Sequence, residues 1–398
     1  MSRDADAIVV GAGPAGSATA ALLARSGLRV LLLDKAATPP PKVCGEYLSP
    51  GCLPILDRLG ALKSLRDAGA RPLRGMLIHT AGGRTLRATY PDQMHLEGVP
   101  PYALSITRTL LDPLLLDLAV KNGATFAPRF QVSDLLWHDG RVTGVHGRQG
   151  GHRVTCRASL VVGADGRQSL VARRIGAMRR HPWLDRMAIV AYLIGVRRVE
   201  DAGAIFLGRD RYAILNPIAP DLTNLGLVVS RRDLPRGEDP RRALWDTAAS
   251  LPGLAERLTS AKTVAPVRCL GPLAHRATRL AVPGALLVGD AAGFLDPFTG
   301  EGIYAALRSA EIAAHHVLGQ KSAGDYGEVW QREFAAKWRI ASLLQRAIRR
   351  PWLAQILAAS LSARPALTST LMAAFGDLLS PDDLRPIRLF SRLVALSR

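Results

Sequence analysis

Three glycine–aspartate segments carry the most specific chemistry in this chain. The first is Gly11-Ala-Gly13-Pro-Ala15-Gly16, followed further on by an acid, Asp34. Gly11 permits a tight turn, and Gly13 lets the backbone approach a pyrophosphate. Gly16 lets a helix pack closely on a strand, so that the helix N-terminus faces the phosphates. Asp34 can accept hydrogen bonds from both hydroxyls of an adenosine ribose. The pattern reads as a site for an adenosine-diphosphate cofactor and does not separate FAD from NAD. The second segment, Gly163-Ala-Asp165-Gly166, and the third, Gly289-Asp290-Ala-Ala-Gly293, each place a carboxylate and free backbone N–H groups at a strand end. Doubly wound sheets bind their ligands at that edge.

Groups able to move protons lie in other stretches. Lys42-Val-Cys44-Gly45-Glu46-Tyr47 follows a proline cluster, Tyr212 opens a later apolar run, and Glu301 sits between Gly300 and Gly302. Cys44, Glu46 and Tyr212 are the candidate catalytic residues, with Tyr47 and Glu301 as further acids or bases. Each has a structural reading beside the chemical one: Cys44 as a small packed group, Glu46 as a cap or ion-pair partner, Glu301 as a helix cap. His79 reads as structural. No Ser, His and Asp arrangement suggests hydrolysis, and no cysteine pair has metal-ligand spacing, so no metal site is expected.

These residues need particular elements to position them. Residues 7–10 form a short β-branched run, residues 17–26 an alanine-rich helix stopped by Gly27, and residues 29–33 a second strand ending at Asp34. Residues 159–163 and 286–289 are further buried strands, the latter leading to a helix over 303–318. Residues 182–268 lack such motifs. Alternating runs at 187–196 and 224–229 predict antiparallel strands that wall a substrate, and residues 71–102 add to them.

With the three segments in order, residues 5 to about 345 resemble the family of para-hydroxybenzoate hydroxylase and geranylgeranyl reductase. The resemblance implies a doubly wound α/β FAD-binding domain of the GR2 type, interleaved with an antiparallel-sheet substrate domain and followed by C-terminal helices. It implies that Asp290 and Gly289 hold the ribityl and pyrophosphate region, and that Pro297, Gly300 and Gly302 lie beside the isoalloxazine. Asp165 and Gly166 would support the pyrophosphate side, and Arg108 would reach the phosphates from a helix start. Ala15, Lys35, Cys44, Gly45 and Val132 join the residues expected around FAD. Cys44-Gly45 is similar to a reductase segment near the flavin, whereas Gly45-Glu-x-Leu-x-Pro50 and Phe294-Leu-Asp-Pro297 resemble flavin-dependent halogenases. Tyr212-Ala-Ile-Leu-Asn216-Pro217 falls where both groups carry tryptophan, and this segment has none.

The expected domains are residues 1–75, 103–180 and 270–330 for FAD, 76–102 and 181–269 for substrate, and 331–398 as a helical segment. The expected function is an NAD(P)H-driven FAD monooxygenase acting on a hydrophobic, phenolic or polyketide-like molecule. The alternatives are a reductase that saturates an alkene of a prenyl or lipid substrate, and a halogenase. Only one dinucleotide motif is present, so NAD(P)H would bind transiently.

Composition bounds the rest. The 398 residues are 48% hydrophobic, which excludes bulk disorder, and four cysteines exclude a disulfide framework. The net charge of +19 comes from arginines scattered along the chain rather than gathered in blocks, so nucleic acid is not the expected partner. Neither a secretory signal nor a membrane span is read, and a cytoplasmic setting is expected. Residues 331–398 hold eleven Arg or Lys and four acids. They are expected to pack as a lid over the substrate channel, with peripheral contact to an anionic membrane as the alternative.

Overall fold

The computed structural model describes residues 4–380 apart from 182, 235, 236, 238 and 321, together with 382 and 383. The first layer is a sheet centred on the strand Ala5–Val10. It pairs in parallel with Val30–Leu33 and with the end of His152–Gly163, Val9 facing Leu32 on one side and Val162 on the other. Thr125–Ala127 and Ala285–Leu287 extend the parallel order outward. Ala7, Ile8, Val9, Val161 and Val162 are wholly buried. Both faces of these strands are covered, which is why they read as unbroken apolar runs rather than alternating ones.

The helix Pro14–Arg25 packs between the helices Arg108–Lys121 and Gly302–Leu318. It begins three residues earlier than its alanine run suggests. Pro14 has no N–H to lose at a first helical position, and its fixed φ suits the helix. A hairpin, Phe130–His138 with Arg141–Gln149, pairs with the first half of His152–Gly163 and buries Phe130, Leu135, Val142 and Val145. The architecture is the doubly wound α/β fold expected.

The second large sheet runs in the order Lys262–Thr263, Arg186–Ile194, Leu222–Ser230, Tyr212–Ala219, Gly203–Leu207, Gly75–His79, Thr85–Thr89. All its pairs are antiparallel except Gly203–Leu207 with Gly75–His79. Ile189 faces Leu227, as the alternating runs anticipated. Two details differ from the sequence reading. Arg71–Leu73 pairs with Ala103–Ser105 in a small separate sheet with Tyr47–Leu48. Arg268–Leu270 joins Arg186–Ile194 and so lies across the boundary drawn at 269.

The C-terminal segment forms the helices Ala323–Ile348, Pro351–Ser362 and Pro365–Phe375. Pro351 and Pro365 each occupy the first turn of their helix, where a missing N–H costs nothing, and each marks the break from the helix before. The first of the three packs on Gly302–Leu318, and the other two on Thr85–Thr89. They bridge the two layers. Of the eleven basic residues counted in this segment, Arg385, Arg388, Arg392 and Arg398 lie outside the described residues.

Candidate active site

The glycine motif works by close approach. A Cβ on Gly16 would stand 1.8 Å from the Gly11 carbonyl oxygen, and one on Gly11, whose φ is +104°, would stand 2.5 Å from that of Ala164. Neither position tolerates a side chain. Gly13 is different: a Cβ there meets nothing within 4 Å, because that side is open to a cavity. The helix Pro14–Arg25 begins at Gly13 with no side-chain cap and no acid in its first turn. Its N–H groups and positive dipole end are available to an anion. Asp34 is held at the next strand end by the Ala12 and Ala36 N–H groups, both at 2.8 Å.

The other two segments converge on the same cavity. Asp165 accepts from Leu170 N at 2.6 Å and Val171 N at 3.2 Å through Oδ2, while its buried Oδ1 has no hydrogen-bond partner. Burial raises its carboxyl above the usual range despite those bonds. Asp290 is also raised by burial, opposed by the charges of His275, Arg108, Arg167 and Lys42. Gly289 N donates to Ser309 Oγ at 2.8 Å, which anchors the strand end to the following helix.

The cavity has a volume of about 1030 Å³, at the upper limit of ordinary ligand pockets. Gly11, Gly13, Ala15, Asp34, Lys35, Arg108, Val132, Asp165, Gly166 and Asp290 line it, as do Cys44, Gly45, Pro297, Gly300 and Gly302. Gly16 and Gly289 stand behind this lining, where each permits a close approach; a Cβ on Gly289 would stand 2.7 Å from that of Ala15. Beyond Gly300 the wall is built by the second sheet and the C-terminal helices. Met76, Ile78, Ile205, Val228, Leu357 and Met372 are typical of it, and among the described residues these elements contribute one charged residue, Arg268, to the lining.

Two candidate catalytic residues do not border the cavity. Glu46 is buried with φ +55°, a left-handed conformation uncommon outside glycine. Its Oε2 accepts from Arg108 N at 2.5 Å, at the start of Arg108–Lys121, and its Oε1 accepts from the Tyr192 hydroxyl. Burial pushes this carboxyl up to about 7. Tyr212 is fully buried and donates to Asp296. Both placements depart from the expectation of a proton-moving group against the ligand: Glu46 caps a helix, and Tyr212 holds a loop. Cys44 does border the cavity, and burial raises its thiol pKa. Arg108 borders it too, gripped through Nε and Nη2 by Asp112 at 2.5 and 2.6 Å, which sets the guanidinium's orientation.

Three features escaped the sequence reading. Tyr90 meets Tyr47 hydroxyl to hydroxyl at the cavity wall, and burial raises both pKa values, so both Oη atoms keep their protons. Asp296 Oδ1 accepts from Tyr212, from Gln345 Nε2 at 2.7 Å and from Phe298 N at 3.0 Å, while Arg186 reaches Gln345 Oε1 at 2.6 Å. That network ties the loop at 294–302 to the second sheet and to the helix Ala323–Ile348. Lys337 Nζ lies 2.5 Å from Asp377 Oδ1, whose Oδ2 accepts from Ser49 Oγ at 2.5 Å, all three residues being buried. Glu301 is near this pair, and burial together with the Asp377 charge lifts it to about 8. One signal for Lys337 was visible: it sits on the face of its helix shared by Phe334 and Ala341, where a lysine needs a partner.

The comparisons with known proteins agree with this geometry. The model of the FAD binding domain family matches residues 4–317. The chain is 28% identical to the menaquinone reductase of Mycolicibacterium smegmatis over 96% of this chain and 94% of that protein. It is 30% identical to digeranylgeranylglycerophospholipid reductase 2 of Methanopyrus kandleri, over 84% of each. Among solved structures it resembles the flavin-dependent brominase Bmp2, with a TM-score of 0.83 and 20% identity over 98% of this chain and 99% of that one.

Proposed function

Because this chain belongs to the FAD binding domain family and is an FAD-dependent oxidoreductase, we propose that it adds two hydrogens across a carbon–carbon double bond of an apolar, isoprenoid-like molecule. The observation that carries this reading is the predominantly apolar wall that the second sheet and the C-terminal helices give the cavity, to which Arg268 is the one charged contributor among the described residues. Two relatives that match most of the chain are reductases named for lipid and quinone substrates. The hydroxylase expected from the motifs gives way to this alternative. A phenol would call for a base against its ring, and the second sheet and C-terminal helices present none among the described residues.

The residues present fit the cofactor. Asp34 takes the adenosine ribose, and Gly13 with the uncapped helix takes the pyrophosphate. Arg108 and Lys42 add positive charge, and Asp165 offers its unpartnered oxygen to a hydroxyl or N–H. Lys35, Val132, Gly166 and Asp290 complete that wall. When bound, FAD supplies the hydride, with NAD(P)H as the electron donor that reloads it. The chain's own part is to exclude water, set the face of the alkene and hold a proton. Protons are held at the cavity wall by Cys44 Sγ and by the Tyr47 and Tyr90 Oη atoms. The N-terminus of Gly302–Leu318 favours negative charge on the neighbouring ring.

A halogenase is the second reading, favoured by Phe294-Leu-Asp-Pro297 and by Gly45-Glu-x-Leu-x-Pro50. One experiment separates the readings. The protein is reduced anaerobically, mixed with a polyprenyl quinone or a geranylgeranyl lipid, and the products weighed by mass spectrometry. Gain of two hydrogens supports the reductase. Gain of one oxygen in air, or of a halogen when bromide is present, points to a hydroxylase or a halogenase, and an unchanged substrate under every condition rejects the reductase.

A further inference from the structure

We propose that the helix Pro351–Ser362 docks on an anionic lipid surface and forms the wall through which an apolar substrate enters. The helix has no charged residue, and neither has the next, Pro365–Phe375. A helix apolar all round is ordinarily buried on all sides. Here one side is not. Trp352 is 60% exposed and Ile356 54%, the two most exposed large apolar side chains among the described residues. Four positions apart, they share one face of the helix. The opposite face, with Ala354, Leu357, Ala358 and Leu361, lines the cavity. One helix thickness therefore separates the substrate space from the outside.

Charge selects the occupant. Arg346, Arg349 and Arg350 precede the helix and Arg364 follows it, all exposed. Arg349 is held by Asp210 at 3.0 Å, and the Arg346 guanidinium lies 5.6 Å over the Trp183 ring. Arg350 and Arg364 make no ion pair among the described residues. An apolar face bracketed by arginines suits the boundary between anionic headgroups and acyl chains. A second copy of a chain carrying +19 would bring the same arginines against these and be repelled. The helix is fixed rather than swinging, because Gln355 contacts the Thr80 hydroxyl at 2.6 Å and packs where a Cβ on Gly82 would stand.

The entry role rests on the reductase reading, whereas the docking does not. The test is co-sedimentation of the full-length, FAD-loaded protein with phosphatidylcholine vesicles, with and without phosphatidylglycerol. The protein should pellet with the anionic vesicles and be released by salt. Joint substitution of Trp352→Glu and Ile356→Glu should weaken binding by on the order of tenfold or more. Arg350→Gln and Arg364→Gln, which leave every apolar contact in place, should each weaken it by about fivefold. Retained flavin absorbance shows that the variants fold. Equal binding to neutral vesicles, no binding to either, or variants that bind like the parent would overturn the proposal. So would a dimer in sedimentation velocity that the Trp352 and Ile356 substitutions split. Turnover of a detergent-dispersed alkene, in which docking has no part, reports separately on the reductase reading.

Discussion

At the scale of single residues the glycines separate packing from binding. Gly16→Ala drives a methyl into the Gly11 carbonyl, so stability should fall by roughly 3 kcal/mol in chemical denaturation. Gly13→Ala meets nothing in the protein, so the FAD-free chain should lose about 1 kcal/mol or less. FAD affinity should nonetheless drop by on the order of tenfold, read by fluorescence titration. Glu46 makes a pH signature. Its carboxyl sits near 7 when folded against 4.5 ordinarily, so the folded chain holds a proton that the unfolded chain has lost. The resulting stabilisation is complete below about 4.5 and is lost as pH rises through about 7. Relative to Glu46→Gln, the parent should lose roughly 3 kcal/mol at most over that window. Parallel denaturation midpoints for the two proteins across it would show instead that Glu46 does not titrate there. Tyr212→Phe should cost about 1–3 kcal/mol by leaving Asp296 short of a donor, yet keep turnover within a few-fold. A general acid at that position would lose roughly 10²–10⁴-fold.

At the scale of elements, long-range polar ties decide how the C-terminal helices meet the rest. Lys337 on Ala323–Ile348 reaches Asp377 just past Pro365–Phe375, and Asp377 in turn takes the Ser49 hydroxyl. Removing one charge leaves the other buried and unpaired. Lys337→Met alone should therefore cost about 3–5 kcal/mol. Adding Asp377→Asn should recover part of that loss, because the second charge goes too while Ser49 keeps an acceptor. Thermal denaturation of the four proteins in the cycle measures the coupling. The strand–glycine–helix unit at 5–34 and the helix after Gly300-Glu301-Gly302 were legible, because their signals are local. The three-way bond among Ser49, Lys337 and Asp377 was not, since no local pattern names a partner 40 or 328 positions away.

At the scale of the whole molecule, one cavity joins the nucleotide motif, the second sheet and the C-terminal helices. A ligand spanning it should stabilise all three together. Free FAD at about a hundredfold its dissociation constant should add about 2.7 kcal/mol, seen as one cooperative transition shifting upward. If Asp34 takes the adenosine ribose as proposed, FMN at the same concentration should add far less, because it has no adenosine. The sequence alone determined the fold class and that the chain binds FAD, since tight turns, buried strands and helix starts are written in neighbouring residues. It also suggested proton-moving groups, but residue type says nothing of direction. Only the tertiary structure decided that Glu46 and Tyr212 turn away from the cavity while Cys44, Tyr47 and Tyr90 face it. Likewise only packing decided that the last helices complete the apolar wall. Burial and orientation are properties of the assembled layers, and they come from contacts between residues that the linear order keeps far apart.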